Sequence, residues 1–452
     1  MRTDYIIIWT HGLKYLGDVT DIIRKEYKQN FRISISKRYM LGNNLNTFLF
    51  DLYKDENASH IKAKVSYLLN YVTKEKCNAT IHVIKLINLS PSPQTFYKNS
   101  IKCKHVEGLK LRIRNLFNPK FSDLTKQVFP LDVGISHNHI IHSSDNGSEV
   151  YHLEKILEKY ATIHKLKIYK IDKYHHKNEA FLNYYIDSQH ERVSDIKSAD
   201  IVLSAATPLS VENHPKTDFV FGPHFGKERI HDVKNMDNSY NNCVYIQPSQ
   251  PSVDLWLNEL KFTWGKVLEM PFGVNVDMFK ESDNKKDNVF VYFKDRNPSD
   301  LDLVLNFLYN NGINHRVFSY NKRYDENEYR EYLSTCKFGI WVGCHESQGF
   351  ALQEALSSNV PLIVWNVTQR GQQHGSRHLS RYKTPVTSVP YWDDRCGEMF
   401  YDWENFSDKF ENFLKKVPEY SPRKFVIENV STDACIVLWD ILLYGLRNRS
   451  NE

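Results

Sequence analysis

Short apolar runs alternate with polar and helix-periodic stretches along the whole chain, and the rhythm changes near residue 166. Before that point, residues 4–9, 31–35, 80–86 and 139–142 read as strands. Residues 19–27, 60–71, 109–116 and 148–160 read as helices, with Val19, Ile22 and Ile23 marking one apolar face. Strands and helices taking turns in this way predict an α+β sandwich with helices on one face of an antiparallel sheet.

From residue 166 the strands become short and apolar throughout, at 201–203, 219–221, 244–246 and 267–268, as expected where both faces of a parallel sheet are covered. The charged stretch KESDNKKDN (280–288) contains no apolar residue and reads as a linker. A second alternating series follows: strands at 289–293, 315–320, 338–343 and 360–365, and helices at 299–310, 326–334 and 350–357, predicting a doubly wound α/β unit. Ser431 or Thr432 caps a last helix to about residue 446, with Ile436, Leu438, Ile441 and Leu442 on one side.

A length of 452 residues accommodates about three such units, which matches the breaks in the pattern. The longest strongly apolar run, 436–446, is well short of the roughly 20 residues of a membrane span, so no transmembrane helix is expected. The opening MRTDYIIIWTHG has too short an apolar core for a secretory signal and reads as a first strand. Seven scattered cysteines, with no CxxC among them, fit neither a disulfide framework nor a zinc site and lead us to expect a reducing, cytoplasmic setting. The net charge of +5 is spread along the chain, which calls for no nucleic-acid partner and suits nucleotide phosphates equally well.

The chemistry concentrates in FGIWVGCHESQGFALQEALSSNVPLIVW (338–365), a strand, a loop, a helix and a strand. Gly349 stands where the helix begins, and a helix N-terminus offers unpaired N–H groups and the positive end of its dipole to an anionic diphosphate. Glu354, one turn into that helix, suits the paired hydroxyls of a ribose, and Glu346, on the loop, suits a transferred sugar.

HESQGFALQEAL followed by a strand resembles the Glu-(seven residues)-Glu signature of retaining GT-B glycosyltransferases. EMPFGVNVDMF (269–279) resembles their interlobe passage, VYFKDR (291–296) their first C-lobe strand, and VPYWDDRCGEM (389–399) a late loop of related members. The resemblance covers about 165–445. It implies two Rossmann-like lobes, an N-lobe at 161–279 on the acceptor side and a C-lobe at 280–425 on the donor side, with residues 426–452 returning as a helix to the N-lobe. It further implies a donor such as a UDP- or GDP-sugar, a glycan, protein or small-molecule acceptor, and no covalently bound cofactor or required metal. Lys294 and Arg296 would neutralise the diphosphate leaving group, and Ser347, Gly349 and Phe350 would line the donor. Two glutamates do not by themselves decide between retention and inversion, and a general base, where one is needed, would be His224 in FGPHFG.

Residues 4–38 resemble the opening of a nucleoside-diphosphate kinase, and HIIHSSDNGSEVYHLEKI (139–156) its active-site strand and following helix, with His142 at the phosphorylated position and Arg114 near the family's arginine motif. This likeness implies a ferredoxin-like α+β domain over 1–160. The sequence departs from the family where Trp9, Thr10, His11 and Gly12 replace the lysine turn, and where His139 replaces an asparagine, so an altered or accessory role is expected. His137 and His139 alternate to the face opposite His142, which argues against a shared metal. Two other readings stay open: a non-catalytic nucleotide or glycan binder of the same fold, and phosphotransfer through His142.

Overall fold

The first strand, β1 (Arg2–Ile8), is buried on both faces from Asp4 onward, which requires packing above and below it. The structure is a computed structural model that describes residues 2–53, 58–91, 94–97, 100–117, 139–144, 149–207, 209, 211–224, 242–260, 266–283 and 287–449. It divides into two units, Met1–Lys167 with Val437–Glu452, and Ile168–Ile436.

In the first unit β1 pairs antiparallel with β3 (Thr80–Asn88) and β6 (Ile141–Ser143), β3 pairs with β2 (Phe31–Met40), and β2 ends against β7 (Thr162–Ile163). The order is β6-β1-β3-β2-β7, and β4 (Gln94–Tyr97) with β5 (Ser100–Cys103) forms a separate hairpin. Tyr5, Ile7, Ile81 and Val83 on one face pack against Phe48 and Leu49 of α2 (Leu45–Leu52), Ile61 and Val65 of α3 (Ala58–Lys74) and Leu153 of α5 (Glu149–Tyr160). On the other side, α1 (Leu16–Lys25) runs along β2 and α4 (Lys104–Phe117) along β6. Helices therefore cover both faces, where the sequence led us to expect one.

The second unit holds two parallel sheets. In the first, β8 (Lys167–Lys170), β10 (Ile201–Ser204), β11 (Asp218–Phe221), β12 (Cys243–Gln247) and β13 (Lys266–Glu269) lie side by side in chain order, with β9 (Glu191–Arg192) flanking β8. From β8 the chain goes first to β9 on one side and then to β10 on the other, after which the succession runs one way to β13. Its helices include α6 (His176–Gln189) and the short α7 (Gln250–Asp254).

The second sheet does reverse. Its order is β15 (His315–Ser319), β14 (Asn288–Lys294), β16 (Cys336–Gly343), β17 (Leu362–Trp365), β18 (Gly397–Phe400), all parallel. Phe290, Tyr292, Trp341 and Leu362 enter a core on one face; Val291, Phe293, Ile340, Val342 and Ile363 enter a core on the other. This two-sided burial is what the continuous apolar runs predict. Helices α8 (Pro298–Asn310), α9 (Glu326–Leu333), α10 (Phe350–Ser357), α11 (Phe406–Lys416) and α12 (Pro422–Asn429) belong to this part.

The terminal helix α13 (Thr432–Arg449) begins against Val274 of the 161–279 segment, and its residues from Val437 onward belong to the first unit. There the Arg38 guanidinium lies 4.6 Å from the Tyr444 ring centroid and donates to Asn448 Oδ1 at 2.8 Å, while Asn448 donates to the Leu13 carbonyl. At its start, Thr432 N donates to Val274 O (3.0 Å) and Val274 N to Val430 O (2.9 Å). Gly273 permits this approach, since a Cβ there would stand 2.4 Å from Thr432 Cα. Gly273→Ala is therefore expected to lower stability by about 1–3 kcal/mol through forced backbone displacement, measured by urea denaturation of the full chain; an unchanged midpoint would refute the close contact.

Candidate functional site

The chain leaves β14 for one side of the second sheet and enters β16 on the other, so the loops at their carboxyl ends part at a switch point, the place where a ligand crevice is expected in such a sheet. Lys294 ends β14, and residues 344–349 lead from β16 into α10. Lys294 Nζ donates to both Glu346 oxygens at 2.9 and 2.8 Å and sits 4.5 Å from the Tyr320 ring centroid. Burial works to lower the Lys294 pKa, but Glu346 prevails and holds the ammonium above its ordinary range.

Gly349 turns the loop into α10 in the left-handed conformation, φ 79° and ψ 52°, which a side chain resists. Gln348 fixes that turn by accepting from Phe272 N (3.1 Å) and donating to Phe272 O, while Gln353 Nε2 donates to Gln348 O at 3.1 Å. Glu354 follows in the next turn, 4% exposed and hydrogen-bonded by Lys177 from the first turn of α6. Lys177 also lies 3.4 Å from Glu326. Burial raises the Glu354 pKa to about 7, with Lys177 pulling the other way. Tyr324 reports where these acids converge. Its hydroxyl pKa is raised by burial and then, against a Tyr292 hydrogen bond, by the charges of Glu354, Glu326 and Glu346 together.

The structure thus gathers Lys294, Glu346, Gly349, Phe350 and Glu354 around one loop and helix start. Phe350 is half-buried with Lys177 6.0 Å from its ring centroid, and Ser347 is exposed. His224 lies beyond β11, where its Nε2 accepts from His175 N at 3.3 Å; burial and then His175 lower its pKa. His175 directly precedes α6 and feels the charges of Lys177, Glu326 and Lys294, so His224 borders the same cluster.

Arg296 departs from the role its position suggests. It is 5% exposed, pairs with Asp300 (Nε at 3.0 Å and Nη2 at 2.9 Å) and donates through Nη1 to the carbonyls of Gly343 (3.4 Å) and Trp365 (3.2 Å). Most of its donors are engaged beneath the loop, which it thereby braces. Lys177 is the cation that sequence reasoning passed over. A lysine in a helix's first turn opposes the helix dipole, and in HHK (175–177) that local cost is the signal of a distant acidic partner.

In the first unit, His142 Nδ1 lies 3.1 Å from the Tyr53 hydroxyl, and Arg114 donates to the Ile141 carbonyl at 3.1 Å. Lys64 donates to the His139 carbonyl at 2.8 Å, with its pKa pulled well below the ordinary range by burial and then by Arg114. His137 lies outside the described residues. Among the described residues all seven cysteines are free, no three or more His, Cys, Asp or Glu side chains are grouped to hold a metal ion, and no helix is long and apolar enough to cross a membrane.

No family model matches the chain. No curated protein matches it either. Solved structures do resemble it: S. aureus TarM in complex with fondaparinux, alpha-GlcNAc-glycerol and UDP, at 15% identity over 58% of this chain and 58% of that one, with a TM-score of 0.38. A glycosyltransferase from Rickettsia africae ESF-5 is similar at 10% identity over 62% of this chain and 98% of that one, with a TM-score of 0.38. The lipopolysaccharide outer core galactosyltransferase WaaB is similar at 13% identity over 64% and 99%, with a TM-score of 0.35. The aligned region spans less than two thirds of the TarM chain, and at TM-scores below 0.5 none of these likenesses assigns an activity to this chain.

The Glu354 carboxyl has a sign-definite consequence. Because its folded pKa (about 7) exceeds the ordinary 4.5, it contributes stability that is fully present below about pH 4.5 and lost as pH rises through 7. Glu354→Gln should remove that loss, about 3 kcal/mol between pH 4.5 and 8. Denaturation midpoints of the two proteins across this range test it, and parallel pH profiles would contradict it.

Proposed function

We propose that residues 168–436 form a nucleotide-sugar glycosyltransferase of the GT-B type. The observation that carries this reading is the convergence, at the switch point of the second sheet, of a lysine, a left-handed glycine at a helix start and two glutamates, one of them buried. Lys294 would stabilise the departing diphosphate as negative charge develops on it, a preorganised cation inside a partly buried site. The main chain at Gly349 and Phe350 would approach the donor at the positive end of α10, with Ser347 at the exposed rim. Glu354 would accept from the ribose hydroxyls, which requires Lys177 to yield to them, and Glu346 would orient the transferred sugar. His224 is the candidate base for an acceptor hydroxyl of a glycan, protein or small molecule, being neutral with Nε2 already an acceptor.

For the first unit we infer a ferredoxin-like scaffold resembling nucleoside-diphosphate kinase, with an altered or accessory role. The β6-β1-β3-β2 order and the Tyr53–His142 contact support it. The lysine expected before Gly12 is absent, and Arg114 and Lys64 bond backbone carbonyls, so little cationic support is arranged for phosphoryl transfer.

Incubating the full chain with a panel of UDP-, GDP- and TDP-sugars should reveal slow donor hydrolysis. Glu354→Gln should weaken donor binding roughly 10- to 100-fold, the loss of a charged acceptor worth about 1.5–3 kcal/mol, and Lys294→Met should lower turnover more than binding. Donor binding without turnover under any acceptor would favour a binding protein. Labelling of His142 by ATP with no sugar donor bound would favour phosphotransfer and sink the proposal.

A further inference from the structure

The loop after β17 brings a second cation to the crevice, and it comes from a part of the chain that the glycosyltransferase reading leaves unused. Arg370 opens the short 3₁₀ turn Arg370–Gln372, and its Nη1 lies 2.8 Å from His345 Nε2 in the loop after β16. The turn is held firmly. Gln372 Oε1 accepts from Thr368 N (2.8 Å) and Gln369 N (2.9 Å), and His374 N donates to the carbonyl of Asp295, the residue after Lys294, at 2.8 Å. Three adjacent parallel strands, β14, β16 and β17, therefore each deliver one basic side chain at their carboxyl ends: Lys294, His345 and Arg370.

The protonation pattern follows from the geometry. Arginine is always a donor, so His345 Nε2 must accept from it and the imidazole proton must reside on Nδ1. Nδ1 is buried and has no hydrogen-bond partner, and the same holds for Arg370 Nε. Arg370 forms no ion pair among the described residues. Glu259, whose charge reaches it, accepts instead from Lys383 N, Thr384 N and Thr384 Oγ1. Lys294, by contrast, is already neutralised by Glu346. A half-buried cation whose acidic neighbour Glu259 is bonded elsewhere, beside a buried donor without an acceptor, is stabilised when an anion completes the arrangement.

We propose that Arg370 and His345 form the second half of an anion clamp, opposite Lys294, which grips the diphosphate of a nucleoside diphosphate or its sugar. The inference rests on the nucleotide-sugar reading and deepens it. The guanidinium adds a charge that, unlike that of Lys294, is not already paired with a carboxylate, and the His345 Nδ1–H donates to a phosphate oxygen while its other nitrogen keeps Arg370 in place.

Isothermal titration of the full chain with UDP, GDP, ADP and dTDP, each beside its nucleoside, tests this. Arg370→Gln should weaken the diphosphate roughly 10- to 100-fold and leave the nucleoside within about 2-fold, the loss expected of a charge-assisted contact. Arg370→Lys, which keeps the charge and loses the fork, should fall between, and guards against a folding defect in the first variant. His345→Gln, whose amide reaches the Nε2 position and lacks the Nδ1 donor, should also weaken the diphosphate selectively. Equal losses for diphosphate and nucleoside, or none for either, would overturn the clamp while leaving sugar transfer standing. Failure of the unaltered chain to bind any of the four diphosphates would overturn both.

Discussion

A parallel sheet can change direction only by sending the chain past the strand it started from, and this protein does so once in its second sheet. Because β15 and β16 lie on opposite sides of β14, the loops that follow β14 and β16 diverge, and a crevice opens between them. The rest of the proposed chemistry depends on that parting. It places the Lys294 ammonium against the Glu346 carboxylate, and it points the start of α10 at the same space. In the first parallel sheet the corresponding change of direction falls at β8, with β9 and β10 on its two sides.

Charge in this region is arranged as two linked balances. Lys294 and Glu346 neutralise each other across the crevice, and Lys177 reaches Glu354 and Glu326 from α6. In a setting this buried, each pair is stable only while its partner is present, so on the proposed reading a nucleotide would have to offer replacement contacts as it enters. Hydroxyl groups can replace Lys177 on Glu354, and a diphosphate can replace Glu346 on Lys294. Exchange of partners, with little net burial of unpaired charge, is how such a site admits an anionic ligand.

Much of this was legible in the sequence where burial enforces a pattern. The fully buried strands of the second sheet read as continuous apolar runs, and α10 was delimited by Gly349 and the polar Ser357-Ser358 end. Both units of alternating strands and helices could be located for the same reason. Features that depend on distant partners were not legible. Arg296 follows a strand as Lys294 does, and only Asp300 and two carbonyls from other segments reveal that it points inward. Likewise the first unit is completed by residues from Val437 onward, 270 positions after Lys167 ends its main segment. Local pattern says that a face is apolar, and it does not say what arrives to cover it.

The close approach at Gly273 bears on how the two parallel sheets of the second unit can move. The chain crosses from the first sheet to the second past Val274, and this passage is stitched to the segment from Val430 to Thr432 as a parallel bridge, Val274 with Ser431. A lone strand would act as a swivel, whereas a doubled one resists torsion and yields by flexing across its width. The strap is therefore stiffer against twist than against bending, and Gly273 marks its tightest point.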